Sequence, residues 1–280
     1  MKNKIIAITG ASGVLGKNFI KEFKGNVFIK CKIDIADKKK VFEWICNNQF
    51  DLFLHFAAIV PINYINKDKS KAKSINYLGT KNIVDALIES KKKNIWFFYS
   101  STSHVYKYSN KKNKENSKID PINYYGKTKY MSEKYINNNL KKNDIKYCIG
   151  RIFSFTDRLQ QKSFFIPAMF KKLKSKKVSI INFYNMDQKR DFVASKDIVY
   201  AIKTLYDKNS VGVFNIGSGR SVKLSYIIKF IANLLKNKSK INFINSKNNK
   251  DITCDNTKIK NLGWKPKINI EQILTDYRKI

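Results

Sequence analysis

The chain has 280 residues, 43% of them apolar, which is enough to bury a sizeable core and excludes a disordered chain. No apolar run approaches the ~20 residues of a membrane span. The N-terminal "MKNKIIAITG" lacks the apolar length and cleavage site of a signal peptide, so a cytoplasmic protein is expected. The net charge is +35, yet the lysines are spread over almost every segment and arginine is scarce. No nucleic-acid-binding stripe is therefore expected, only a general attraction for anionic molecules.

Cys31, Cys46, Cys148 and Cys254 are widely scattered and have no metal-ligand spacing. They are expected to be reduced thiols. His55 and His104 are the two histidines, too few for a His-rich zinc site, and no metal is expected.

In chain order, "KIIAITG" is a short apolar run ending in glycine and predicts a buried parallel strand. "GVLGKNFIKEF" has helical spacing, "NVFI" is a second strand, and "DKKKVFEWICNN" is an amphipathic helix. "FDLFLHFAA" predicts a third strand. "SKAKSINYLGTKNIVDALIESKK" predicts a long helix, with Leu78, Ile83, Leu87 and Ile88 on its apolar side. "NIWFFYSSTS" is a fourth strand, followed by the polar loop "KYSNKKNKENSKIDP", the helix "NYYGKTKYMSEKYINNNLKK" and the strand "IKYCIGRIF". Alternation of this length indicates an α/β fold with a parallel sheet covered on both faces. The rhythm then changes. "FFIPAMFKKLKSKK" and "LSYIIKFIANLLKN" predict helices of a smaller lobe, and "VGVFNIGSG" one more buried strand. With no linker of biased composition, the smaller lobe is expected to be interleaved with the first.

"TGASGVLG" sets Gly10, Gly13 and Gly16 between the first strand and its helix. Such a loop allows a tight turn, lets the backbone approach a pyrophosphate, and packs helix against strand, with the helix N-terminus facing the phosphates. "YYGKTK" holds Tyr125 and Lys129 one helical turn apart. An ammonium beside a phenol favours the phenolate, so this pair predicts a lowered tyrosine pKa and an acid–base for a substrate hydroxyl or carbonyl. The hydroxyls of "YSSTSHVY" close the fourth strand, at the edge where parallel sheets bind ligands.

These segments together resemble the extended short-chain dehydrogenase/reductases, the nucleotide-sugar epimerase, dehydratase and reductase group, over nearly the whole chain. The resemblance implies a Rossmann-type doubly wound sheet with an interleaved α/β substrate lobe. Residues 1–155 with 188–218 would form the dinucleotide-binding domain, and 156–187 with 219–280 the nucleotide-sugar lobe. It implies a catalytic triad of Thr102, Tyr125 and Lys129. Cofactor contacts would come from Gly10, Ser12, Gly13, Val14, Leu15 and Gly16, from Ala57 and Ala58 after the third strand, and from Asn76 of "INYLGTKNIVDA", Ser100, Tyr125 and Lys129. Thr102, Ser103 and Arg190 of "RDFVASKDIVYAI" would contact substrate, the arginine at the diphosphate. "GVFNIGSGRSVKL" and "NLGWKPK" are similar to two C-terminal signatures of the group. The segment "RIFSFTDR" departs from it, with Ser154 replacing the usual Asn and no Tyr-Gly following.

The acid pair that dehydratases carry after the catalytic hydroxyl is replaced here by Ser103 and His104, which disfavours a 4,6-dehydratase. Two activities are left: a 4-keto reductase and an epimerase. The second strand meets "DIAD" almost directly, as in reductases of the dTDP-4-dehydrorhamnose type. In that alignment Asp34 and Ile35 flank the adenine, and the ribose end is left to Lys30 and Lys32. Lysines there suit a 2′-phosphate, so NADP(H) is favoured over NAD(H). Family likeness also implies a homodimer through the helices around 70–90 and 124–141, whose exposed faces should then carry apolar patches.

Overall fold

The computed structural model describes residues 1–174, 179–244 and 250–278. In chain order the strands are β1 (Ile5–Thr9), β2 (Val27–Lys30), β3 (Leu52–His55), β4 (Trp96–Thr102), β5 (Lys146–Ile152), β6 (Ser154–Thr156), β7 (Ile180–Tyr184), β8 (Lys189–Ala194), β9 (Gly212–Ile216), β10 (Ser221–Lys223) and β11 (Lys240–Ile244). The helices are α1 (Val14–Glu22), α2 (Lys38–Cys46), α3 (Ile62–Lys67), α4 (Lys69–Lys73), α5 (Gly79–Glu89), α6 (Tyr124–Lys142), α7 (Phe165–Leu173), α8 (Ser195–Asp207), α9 (Leu224–Leu234), α10 (Thr257–Lys260) and α11 (Ile270–Arg278). The helix expected from "FFIPAMFKKLKSKK" is α7; residues 175–177 of that expectation lie outside the described residues.

Six strands form one parallel sheet in the order β2-β1-β3-β4-β5-β9. The order reverses at β1, so connections leave it toward opposite faces and open a crevice at the strand C-termini. Strand alternation sorts the core. Ile6 and Ile8 of β1 and Phe98 of β4 face α1 and α8, packing with Phe19, Ile198 and Ile202. Ala7, Phe97 and Tyr99 face the other way, packing with Val41, Ile83, Leu87 and Ile136. A third cluster fills the smaller lobe around Ile166, Phe183, Ile227, Ile228, Ile231 and Leu274.

The long helix expected over 70–92 is not one regular helix. Ser74–Leu78 form a π turn between α4 and α5. The wider turn shifts the phase of the helix, so Leu78 is rotated out of the predicted apolar side and is 41% exposed, while Ile83 and Leu87 are buried. The same shift buries Asn76.

The smaller lobe is clasped to the start of the sheet domain. The Asp157 carboxylate accepts hydrogen bonds from Asn18 on α1, at 2.9 Å, and from Ser195 on α8. The Tyr277 hydroxyl of α11 donates to the Asp157 carbonyl.

Candidate active site

The crevice is a cleft of about 1300 Å³. Gly10, Ser12, Gly13, Val14, Leu15 and Gly16 line one end, Ser100 to His104 and Tyr125 its middle, and Arg190 with Met186, Gln188 and Leu224 the far side. At the glycine end Gly10 has φ +69°, and a Cβ on Gly16 would lie 2.4 Å from the Gly10 carbonyl oxygen. Both positions therefore require glycine. Gly13 caps α1 with no side-chain hydrogen bond, so the first-turn N–H groups have no side-chain partner at the cap. A loop without side-chain bulk, opening a helix at the edge of a large cleft, fits the pyrophosphate of a dinucleotide.

A buried polar network shapes the wall behind this loop. The Asn76 side-chain oxygen accepts from the Ile59 N–H at 2.7 Å, and its amide nitrogen donates to the Ile59 carbonyl at 2.9 Å. Asn76 thus fixes the segment after β3 that carries Ala58 into the cleft. Beneath it, His55 bridges Thr9 through Nδ1 at 2.6 Å and Thr80 through Nε2 at 2.9 Å. The Thr80 hydroxyl donates to the Asn76 carbonyl, so it accepts from His55. The proton is thereby placed on Nε2, and Nδ1 accepts from Thr9. Burial, with the Lys129 charge nearby, holds this imidazole well below its ordinary pKa.

Thr102 ends β4 and Tyr125 opens α6, whose N-cap is Asn123, with Oδ1 accepting from Gly126 N–H at 2.8 Å. A Cβ on Gly126 would sit 2.2 Å from the His104 carbonyl oxygen, so the helix start is seated directly on the strand's exit. This brings Tyr125 and Thr102 together. Burial pushes the Tyr125 phenol up, and a hydrogen bond with Thr102 draws it part of the way back. The direction is opposite to the lowered value expected from a neighbouring lysine. The reason is geometric: the Lys129 ammonium lies over the Tyr99 ring, 4.1 Å from its centroid. It makes no hydrogen bond among the described residues. Burial lowers its pKa to about 7, partly offset by the Glu133 charge.

Glu133 is itself buried in an ion pair with Arg151, at 2.7 Å, and accepts from the Ser101 hydroxyl. Ser100 donates to the His55 carbonyl at 3.0 Å. Thus the serines beside Thr102 are committed to the scaffold. Ser103 is buried and lines the cleft.

Arg190 reaches the cleft from β8. Its guanidinium donates to the Lys189 and Lys250 carbonyls and to Gln188 Oε1. Among the described residues no carboxylate lies within ion-pair distance of it. Burial lowers its pKa.

Other expected site residues do not line the cleft. Lys129, Asn76 and Ala57 stand behind its wall. Lys30 pairs in register with Ile8, on the α1 side of β2, and Lys30 and Lys32 are exposed beyond the glycine loop. Asp34 is exposed and its carboxylate accepts from Ala36 N–H at 2.9 Å. Ile35 is buried in the core over Gly79. Sequence reasoning gave no role to His104 or Asn123, which flank Tyr125. The N-cap spacing of Asn123 before "YYG" was the available signal for the latter.

The model of the family described as GDP-mannose 4,6 dehydratase matches residues 14–277. A dTDP-4-dehydro-6-deoxyglucose reductase of Escherichia coli is 26% identical, with 96% of this chain and 95% of that protein covered. A putative UDP-glucose 4-epimerase of Methanocaldococcus jannaschii is also 26% identical, with 96% and 95% covered. Among solved structures, RMD from Pseudomonas aeruginosa complexed with NADPH superposes with a TM-score of 0.90 at 20% identity, covering 99% of this chain and 98% of that one. With the Rossmann-type sheet, the glycine loop and the Thr102–Tyr125 pair in one cleft, the chain belongs to the GDP-mannose 4,6-dehydratase family, within the extended short-chain dehydrogenase/reductases that act as NAD(P)-dependent sugar-nucleotide reductases, epimerases and dehydratases.

Proposed function

We propose that the protein is an NADPH-dependent reductase of a nucleotide-linked 4-keto-6-deoxy sugar, of the kind that supplies deoxysugars for surface polysaccharides. The observation that carries this reading is the "NVFIKCKIDIAD" turn. Lys30 and Lys32 leave β2 on the glycine-loop side, with no acid before Asp34 to hold a free ribose. A 2′-phosphate is the group that two ammonium ions at that position would favour.

When bound, the nicotinamide would supply hydride to the sugar carbon. Tyr125 would give the proton to the keto oxygen, and Thr102 would hydrogen-bond that oxygen. Lys129 would steady the cofactor ribose and, as an ammonium, ease loss of the phenolic proton. Arg190, with no carboxylate at ion-pair distance among the described residues, would hold the substrate diphosphate. Ser103 would line the sugar site. Asp34 would flank the adenine, with Ile35 bracing that turn from the core.

The second reading is an NAD-dependent epimerase, favoured by likeness to the putative 4-epimerase of Methanocaldococcus jannaschii. The purified protein separates the two. Stoichiometric retained NAD favours the epimerase; an empty protein that oxidises NADPH only with a 4-keto sugar nucleotide supports the reductase. A non-catalytic nucleotide-binding protein is the outcome if neither reaction occurs across UDP-, GDP- and dTDP-linked sugars. A homodimer through α5 and α6 is part of the same proposal. The outer face there carries exposed Leu78 beside half-buried Tyr77 and Tyr135, and light scattering or sedimentation would test it.

A further inference from the structure

Four contacts fix the state of His104. Asn123 Oδ1 caps α6 by accepting from the Gly126 N–H. That orients the amide, so Asn123 Nδ2 is the atom directed at His104 Nδ1, 2.9 Å away. An amide nitrogen donates, so Nδ1 must accept, and the imidazole proton is carried on Nε2. The residue's backbone is also held, because its carbonyl accepts from Ile122 N–H at 3.1 Å and lies under Gly126.

The ring stands edge-on to Tyr125, with centroids 5.8 Å apart and planes at 85°. His104 lines the cleft, and its Nε2 has no hydrogen-bond partner among the described residues. Burial and the Arg190 charge lower its pKa to about 4. It is therefore a neutral donor, suited to a hydroxyl or carbonyl oxygen, while the phosphate charge is left to Arg190.

We propose that His104 is a sugar-recognition residue, whose Nε2–H donates a hydrogen bond to a sugar oxygen next to the one held by Tyr125 and Thr102. The proposal rests on the reading that the cleft takes a nucleotide sugar, and the test separates the two. The chain has only two histidines, so their imidazole NMR signals can be followed individually. The probes are UDP, GDP and dTDP, and the corresponding glucose or mannose conjugates.

Sugar-bearing probes are expected to move the His104 signals, while the bare diphosphates leave them in place and His55 is unmoved by either. In His104→Ala the affinity gained from the sugar is expected to fall about tenfold, with His104→Gln recovering part of it. NADPH and bare-diphosphate affinities should be unchanged, which also shows that the variant is folded. If wild-type protein binds sugar nucleotides but the His104 signals do not move, or His104→Ala keeps the full gain, the proposal is overturned and the functional reading stands. If wild-type protein binds no sugar nucleotide, both fail.

Discussion

The ammonium of Lys129 is seated on the face of Tyr99, 4.1 Å from the ring centroid. The aromatic quadrupole, together with the Glu133 charge, partly balances a buried cation that makes no hydrogen bond to the described residues. The Tyr99 hydroxyl is itself buried, with the Ser132 and Thr80 hydroxyls near it. Both donate to the Asn76 carbonyl, so toward Tyr99 they offer lone pairs alone. Tyr99→Phe should therefore keep the π face and lose at most a weak hydrogen bond. Urea unfolding is expected to show stability within about 1 kcal/mol of wild type, with activity retained. Tyr99→Leu should lower both.

Tyr125→Phe removes the proposed proton donor and leaves the ring in place. Turnover is expected to fall by about two to four orders of magnitude, with NADPH affinity within a factor of two or so of wild type. Near-normal turnover would show that the acid–base is another group.

Lys30→Ala and Lys32→Ala should each weaken NADPH binding by about tenfold and leave NADH binding nearly unchanged, read by cofactor fluorescence titration. Equal affinity for the two cofactors in wild-type protein would remove the preference altogether.

Asn76→Ala strips the partners from the Ile59 N–H and C=O. Two half-buried backbone groups left to solvent at the cleft wall should cost about 1–3 kcal/mol in a denaturant titration, with a raised cofactor KM. A change below 0.5 kcal/mol or so would mean that the cleft wall does not depend on this side chain.

Stability should fall on mild acidification. His55 and His104 are both held neutral below the ordinary histidine pKa, in the latter case at about 4. The unfolded chain therefore takes up protons first. The contribution is fully present above pH ~6.5 and is lost below it, at about 1.4 kcal/mol per pH unit for each group. His104→Gln should make the slope between pH 6.5 and 5 shallower, measured as the urea midpoint at each pH.

The sheet and its helices were legible because short continuous apolar runs mark buried strands: "WFFYSST" is buried throughout, and "IAIT" of the first strand is buried after an exposed Ile5. The glycine loop was legible from its place at the first strand–helix junction, Tyr125 from its place at a helix start, and Thr102 and Arg190 from the family resemblance; the structure brings all of them to one cleft. What could not be read is long-range. The Leu78 error came from a π turn, a phase shift that no local pattern announces. The predicted fall in the Tyr125 pKa assumed that helical neighbours share an environment, but Lys129 was captured by Tyr99 from another strand. The orientation of His104 depends on Asn123, 19 residues away in sequence.

The edge position of β2 has a further consequence. It is a four-residue strand at one margin of the main sheet, with Val27 61% exposed and Lys24, Lys30 and Lys32 around it. Clustered ammonium groups on a short margin discourage a second copy of the chain from adding its own strand there. The residues proposed to select the cofactor thus also guard the sheet against self-association. Evolving this turn toward NADH by deleting both lysines would bare the margin, and an acid in their place would keep it charged.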